Sequence, residues 1–147
     1  MLIGKIIQYS LVFKLNKESS LKSKAEIEKV FGFGKKVSNK YLSVYFLNSQ
    51  NSSKLPKKVA VIVGKKTHAH AVKRNKIKRL LRDCLRQSYE FEKFNSGSFI
   101  IMYHFKEMPT LSLLQENIKT LFLSLSKKEL SWDLFCFFYS FFLLAYY

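Results

Sequence analysis

Residues 71 to 86, AVKRNKIKRLLRDCLR, constrain the fold more than any other stretch of this chain. On an α-helix Ile77, Leu80, Leu81, Cys84 and Leu85 fall at i, i+3, i+4, i+7 and i+8, which makes one continuous apolar stripe. At about 100° per residue Asn75, Arg79, Arg82 and Arg86 line up on the opposite side, with Lys78 beside them and Arg74 and Lys76 on the flanks. The stripe must be buried against a core, and the cationic side must stay in water or meet an anion.

Whole-chain charge points to the anion. Twenty-six basic and 10 acidic residues in 147 give a formal net charge of +16, with a pI near 9.9. Ordinary solvated surfaces mix both signs, so an excess of this size favours a polyanion, and nucleic acid above all.

Protein-based catalysis finds little support. A two-metal nuclease needs converging carboxylates, yet the aspartates are Asp83 and Asp133 alone, and the glutamates are scattered. Asp83 lies on the flank of the basic helix, where pairing with a neighbouring Arg is expected. His68 and His70 stand two apart, not four, so they do not stack as ligands on a helix face. They are expected to be exposed or to touch phosphate. His104 has no nucleophile motif around it, and Gly64, Lys65 and Lys66 lack the spacing of a phosphate-cradling loop. Cys84 and Cys136 form no ligand pair and read as buried thiols of a reducing, cytoplasmic protein.

Length allows one domain. Ser23 and Glu26 have capping-box spacing, and Ile27, Val30 and Phe31 continue a short helix that Gly32 and Gly34 should end. Tyr41 to Leu47 and Val59 to Val63 read as strands separated by a polar loop, which predicts antiparallel pairing between them. With the basic helix next and Ser98 to Tyr103 as a further strand, the order includes a strand-helix-strand crossover and hence a mixed sheet. Pro109 and Thr110 open a last helix with Leu111, Leu114, Ile118, Leu121, Phe122 and Leu125 on one face. Residues 134–147, LFCFFYSFFLLAYY, are uncharged but short of the roughly 20 needed to span a bilayer, so a docked or trailing tail is expected rather than a membrane anchor. The N-terminal MLIGKIIQYSLVFKL lacks a small-residue cleavage site and reads as an extension, not a signal peptide.

A strand ending in Val63-Gly64-Lys65-Lys66, a short gap, then Ala71 to Arg82 (AVKRNKIKRLLR) resembles the signature of the protein subunit of bacterial ribonuclease P. EIEKVF at 26–31, YLSVYF at 41–46 and IIMY at 100–103 fall in the order and spacing of that family. The resemblance covers roughly residues 18–126, leaving 1–17 as an N-terminal extension and 127–147 as a tail without counterpart in the family pattern.

The resemblance implies a two-layer α/β (α+β) sandwich with a small mixed sheet, in the order α-β-β-α-β-α with room for one more strand before the basic helix, and a left-handed β-α-β crossover. It implies that a catalytic RNA subunit, with Mg2+ bound mainly by that RNA, removes the 5′ leader of precursor tRNA, and that the protein carries neither a catalytic residue nor a metal site and needs no obligate protein partner. Two surfaces carry over. Arg74, Asn75, Lys76, Lys78, Arg79 and Arg82, extended by Arg86, correspond to the face that contacts the RNA subunit. Ile27, Phe31, Tyr45, Lys65 and Lys66 take the positions of a cleft that holds the single-stranded leader. Two positions depart from the pattern: Ile27 stands where an aromatic is usual, and Lys76 where Arg is typical, which keeps the charge but loses the bidentate fork. The rival readings are a ribosomal-type RNA-binding protein with no role in tRNA processing, and a basic membrane-associated protein.

Overall fold

A computed structural model of the chain describes residues 19–48 and 57–145, with side chains described as far as residue 128. Its elements are α1 (Lys24–Phe33), β1 (Lys35–Ser38), β2 (Leu42–Leu47), β3 (Lys58–Val63), α2 (Ala71–Gln87), the single turn α3 (Tyr89–Glu92), β4 (Ser98–Tyr103) and α4 (Leu111–Ala145). The N-terminal extension and the side chain of Cys136 lie outside the described residues. The strands form one sheet in the order β1-β2-β4-β3. β1 with β2 and β2 with β4 are antiparallel, whereas β3 with β4 is parallel.

The mixed sheet with helices packed on it is as expected, but β2 and β3 are not partners. β4 lies between them, for a reason visible in its side chains: Phe99, Ile100 and Ile101 are consecutive and all fully buried, so both faces of this strand need cover. Only a central position supplies it. β3 alternates strictly between buried and partly exposed residues, the pattern of a strand that tolerates an edge. β1 is a strand that hydrophobic patterning passes over, because KKVS carries one apolar residue.

One sheet face holds the main core. Leu42, Val44, Phe46, Val61, Phe99, Ile101 and Tyr103 meet Ile77, Leu81 and Leu85 of α2, Phe91 of α3, and Leu114, Ile118, Phe122 and Leu125 of α4. Phe99 stacks on Phe46 with ring centroids 4.6 Å apart and takes the edges of Phe91 and Phe94 at 5.2 and 5.4 Å. The opposite face carries a smaller cluster of Leu21, Val30 and Ile100, with Ile27, Tyr45, Leu47, Ala60 and Ile62 partly buried around it. α1 covers this face across β2 and β4.

Local details refine the helix boundaries. Ser23 occupies the N-cap of α1, yet its side chain makes no capping bond. Glu26 instead accepts from Lys58 Nζ at 2.6 Å, a charge-assisted bond that outweighs a neutral cap. Gly32 lies inside α1 and the helix ends at Gly34. A Cβ there would collide with the Val30 carbonyl and stand 3.1 Å from that of Phe46, so the turn into β1 requires glycine. In α4 the expected apolar face is buried apart from Leu111, which is 42% exposed at the helix start. α4 continues through residues 126 and 127 without a break. The buried Lys57 donates from Nζ to the carbonyls of Phe91 and Glu92 at 3.2 and 2.9 Å, closing the end of α3. Burial holds its pKa below the ordinary value, an effect the Glu92 carboxylate opposes.

Leu81 is fully buried beneath α2, so Leu81→Ala is expected to cost about 2–5 kcal/mol in denaturant unfolding, without change of fold. A pH dependence follows from two buried groups. Burial, helped by Asp83, pushes the Cys84 thiol from 9.0 up to about 11, and burial with the Glu107 carboxylate pushes the Tyr103 phenol from 10.0 up to about 12. The folded state holds both protons more tightly than the unfolded chain, so their contribution is complete below pH 9.0 and is lost as pH rises toward 12. Thermal unfolding midpoints should therefore fall from pH 9 upward, and less steeply in Cys84→Val; a flat profile would contradict the assignment.

Candidate nucleic-acid interface

The segregation of α2 is carried into three dimensions. Ile77, Leu81, Cys84 and Leu85 are at most 1% exposed, while Asn75, Lys76, Arg79 and Arg82 are exposed and Lys78 and Arg86 partly so. Burial of the stripe fixes the helix rotation, which fixes where the cations point. Two members of the set have partners within the protein. Arg86 Nη1 bonds Asp83 Oδ1 at 3.0 Å, the expected charge pair. Arg74 is turned back along the chain, its Nη1 donating to the carbonyls of His68 at 2.9 Å and Ala69 at 2.5 Å.

On the opposite sheet face α1 and β2 bring two aromatic side chains together. The edge of the Phe31 ring meets Tyr45 at a centroid distance of 4.8 Å and an interplanar angle of 71°. Phe31 is 38% exposed, and Tyr45 is half-buried. Ile27, one turn before Phe31, packs at the base of the same cluster. Neither ring is a core residue, and neither is free of packing. Lys36, which faces Tyr45 across the β1–β2 ladder, holds its ammonium 5.4 Å from the Tyr45 ring centre.

Lys65 and Lys66 are exposed on the turn that follows β3. Tyr45, Ile100 and Ala60 form one row across the sheet, so Lys65 lies up to about 16 Å from that row along the strand direction. The structure thus brings Ile27, Phe31 and Tyr45 together, and sets the two lysines apart, on the connector between β3 and α2.

His68 departs from expectation. It is 5% exposed, its Nε2 donates to the Phe105 carbonyl at 2.9 Å, and its ring lies along that of Tyr103 at 5.8 Å. Its ring is turned into the protein, because the main-chain segment after β4 offers it both a carbonyl and an aromatic face. His70 is exposed at the N-cap of α2. His104 Nε2 donates to the Asn39 carbonyl at 3.2 Å. Among the described residues, no group of three or more His, Cys, Asp or Glu side chains is placed to hold a metal ion.

Lys36 and Lys58 are the site-facing residues that motif reasoning passed over. The signal for Lys36 was the turn at Asn39, whose Oδ1 accepts from the backbone N–H groups of Tyr41 and Leu42 at 2.9 and 2.8 Å. A turn there implies a strand before it, and hence a lysine opposite Tyr45. Lys58 is paired with Glu26 and ties α1 to β3.

Similarity to known proteins accords with this arrangement. The family model described as Ribonuclease P matches residues 15–126. The ribonuclease P protein component of Clostridioides difficile (strain 630) is 31% identical over 86 residues, which is 58% of this chain and 71% of that protein. The fold matches the RNase P protein of Staphylococcus aureus with a TM-score of 0.60 at 23% identity, over 74% of this chain and 95% of that one. It matches the RNase P protein from Thermotoga maritima with a TM-score of 0.59 at 20% identity, over 70% and 94%. With the sequence match spanning the sheet, α1, α2 and the packed part of α4, this chain belongs to the Ribonuclease P family of bacterial protein components.

Proposed function

We propose that this chain grips the catalytic RNA with the outer face of α2 and the single-stranded 5′ leader with the groove between α1 and β2. As a ribonuclease P protein component it is part of the ribonucleoprotein endoribonuclease that processes tRNA 5′ ends. The observation that carries the proposal is the division of α2 into a stripe at most 1% exposed and an outward row of Asn75, Lys76, Arg79 and Arg82. Such a row neutralises phosphates and releases their counterions. Lys78 widens it. Arg86, paired with Asp83, can exchange that exposed partner for a phosphate at little cost.

In the groove, Phe31 and Tyr45 offer half-covered rings for unpaired bases, with Lys36 beside them and Lys65 and Lys66 further along for the backbone. Stacking of this kind contributes about 1–3 kcal/mol per base and does not depend on sequence, which suits leaders of varied composition. Ile27 supplies apolar contact in place of a stacking ring. Hydrolysis belongs to the RNA subunit and its Mg2+ ions; the protein positions the substrate and lowers the repulsion between two phosphate-dense RNAs.

The test is cleavage of a leader-carrying precursor tRNA by a bacterial ribonuclease P RNA at low magnesium, with and without this protein. Restored cleavage is expected, and no stimulation would overturn the reading in favour of a general RNA-binding protein. If about six to ten phosphates are contacted, affinity for the RNA should fall by roughly 10³–10⁵ between 50 and 200 mM salt. Arg79→Ala should weaken RNA binding whatever the substrate and reduce the salt slope by about 0.9. Tyr45→Ala should weaken leader-carrying precursor and leave leaderless tRNA unaffected; equal losses on both would remove the two-surface assignment.

A further inference from the structure

We infer that His68 and Arg74 are positioning residues that buckle the β3–α2 connector to the end of the sheet, fixing where Lys65 and Lys66 stand relative to both RNA-binding surfaces. The inference rests on the proposed function above and assigns Arg74 a different task from the cations that follow it on α2.

The connector, residues 64–70, is fastened at three points. The His68 N–H donates to the Gly64 carbonyl at 3.1 Å, closing a turn around Lys65 and Lys66. The His68 ring reaches across to the segment after β4, with Nε2 on the Phe105 carbonyl at 2.9 Å and its plane 27° from that of Tyr103. Tyr103 is itself anchored, its hydroxyl donating to the Glu107 carbonyl at 2.7 Å. From the other side Arg74 Nη1 clasps the carbonyls of His68 and Ala69. One residue thus receives the strand, the sheet end and the helix together.

The chemistry of these contacts favours positioning over direct RNA contact. A guanidinium aimed at phosphate presents its donors outward, as Arg79 and Arg82 do by exposure, whereas Arg74 is partly buried with its donors on main-chain carbonyls. Lysines on an unfastened seven-residue connector would lose conformational freedom on binding RNA, and a fastened connector has already lost it. The buckle also sets the distance between the exposed lysines and the first turn of α2, so the leader path and the RNA-subunit face keep a constant relation.

The experiment measures affinity of the holoenzyme, assembled with a bacterial ribonuclease P RNA, for leader-carrying precursor tRNA. In the native background the double substitution Lys65→Ala/Lys66→Ala is expected to cost about tenfold. In an Arg74→Lys background, which keeps the charge but falls one bond short of the Nη1 that holds both carbonyls, the same double substitution should cost less than about twofold, because unfastened lysines no longer contribute. His68→Leu should behave like Arg74→Lys, and His68→Gln, which keeps a donor for the Phe105 carbonyl, should restore most of the tenfold effect. A full tenfold loss in the Arg74→Lys and His68→Leu backgrounds would overturn the buckle, since a merely destabilised fold leaves that ratio untouched. Amide exchange gives a readout independent of the leader. The His68 N–H should exchange at least about tenfold faster in Arg74→Lys while the β4 amides are unchanged, and unaltered His68 exchange would overturn the inference. If exchange responds but the lysine substitutions have no effect in the native background, the buckle stands and the leader role of Lys65 and Lys66 falls.

Discussion

The seating of the α2 apolar stripe on the sheet is the contact from which the rest of the molecule follows. Ile77, Leu81, Cys84 and Leu85 belong to the main core, and a helix held on one side along about two and a half turns has no rotational freedom left. Every cation on its other side then has a fixed direction. The core here does more than stabilise: it converts a one-dimensional alternation of residue types into a charged plane of defined orientation. A looser seating would leave the same charge with no consistent geometry, and electrostatic attraction alone gives encounter without register.

The basic helix, the last helix and three of the strands were readable because each carries a strong period or a β-rich run bounded by turn residues. What escaped was decided by tertiary context. The pairing of β2 with β4 rather than β3 depends on a strand that begins 51 residues after β2 ends, and the local hint was three consecutive large apolar residues, Phe99, Ile100 and Ile101. β1 was hidden by its lysines. The capping box at Ser23 failed because Glu26 found a cation on β3, a partner that no local window contains. For the candidate site, spacing located the α2 cations, but not that Arg74 and Arg86 have partners within the protein. His68 was misread because polarity alone says exposed, and nothing nearby in the sequence announces the Phe105 carbonyl 37 residues later.

The two candidate surfaces lie on different sides of the sheet, yet a single short connector joins them. β3 ends with Ile62 on the face that α1 covers, turns through Lys65 and Lys66, and delivers the chain to α2. A strand end, two lysines and the first turns of a helix, contiguous in sequence, thus border both candidate surfaces. Within that stretch the cations differ in kind, since Arg74 bonds main-chain carbonyls of the bend while Arg79 and Arg82 are exposed.

The strands at the sheet margins carry a further consequence. β1, at one margin of the sheet, opens with Lys35 and Lys36, whereas at the other margin β3 is met by the Ser20–Val59 bridge and its neighbouring Lys57 and Lys58 are engaged within the protein. An exposed strand margin is a template for another chain, and lysines at that position discourage such templating. Two copies meeting β1 to β1 would bring like charges together with no polyanion between them. Lys36, placed beside Tyr45, therefore also discourages uncomplexed copies from pairing along β1.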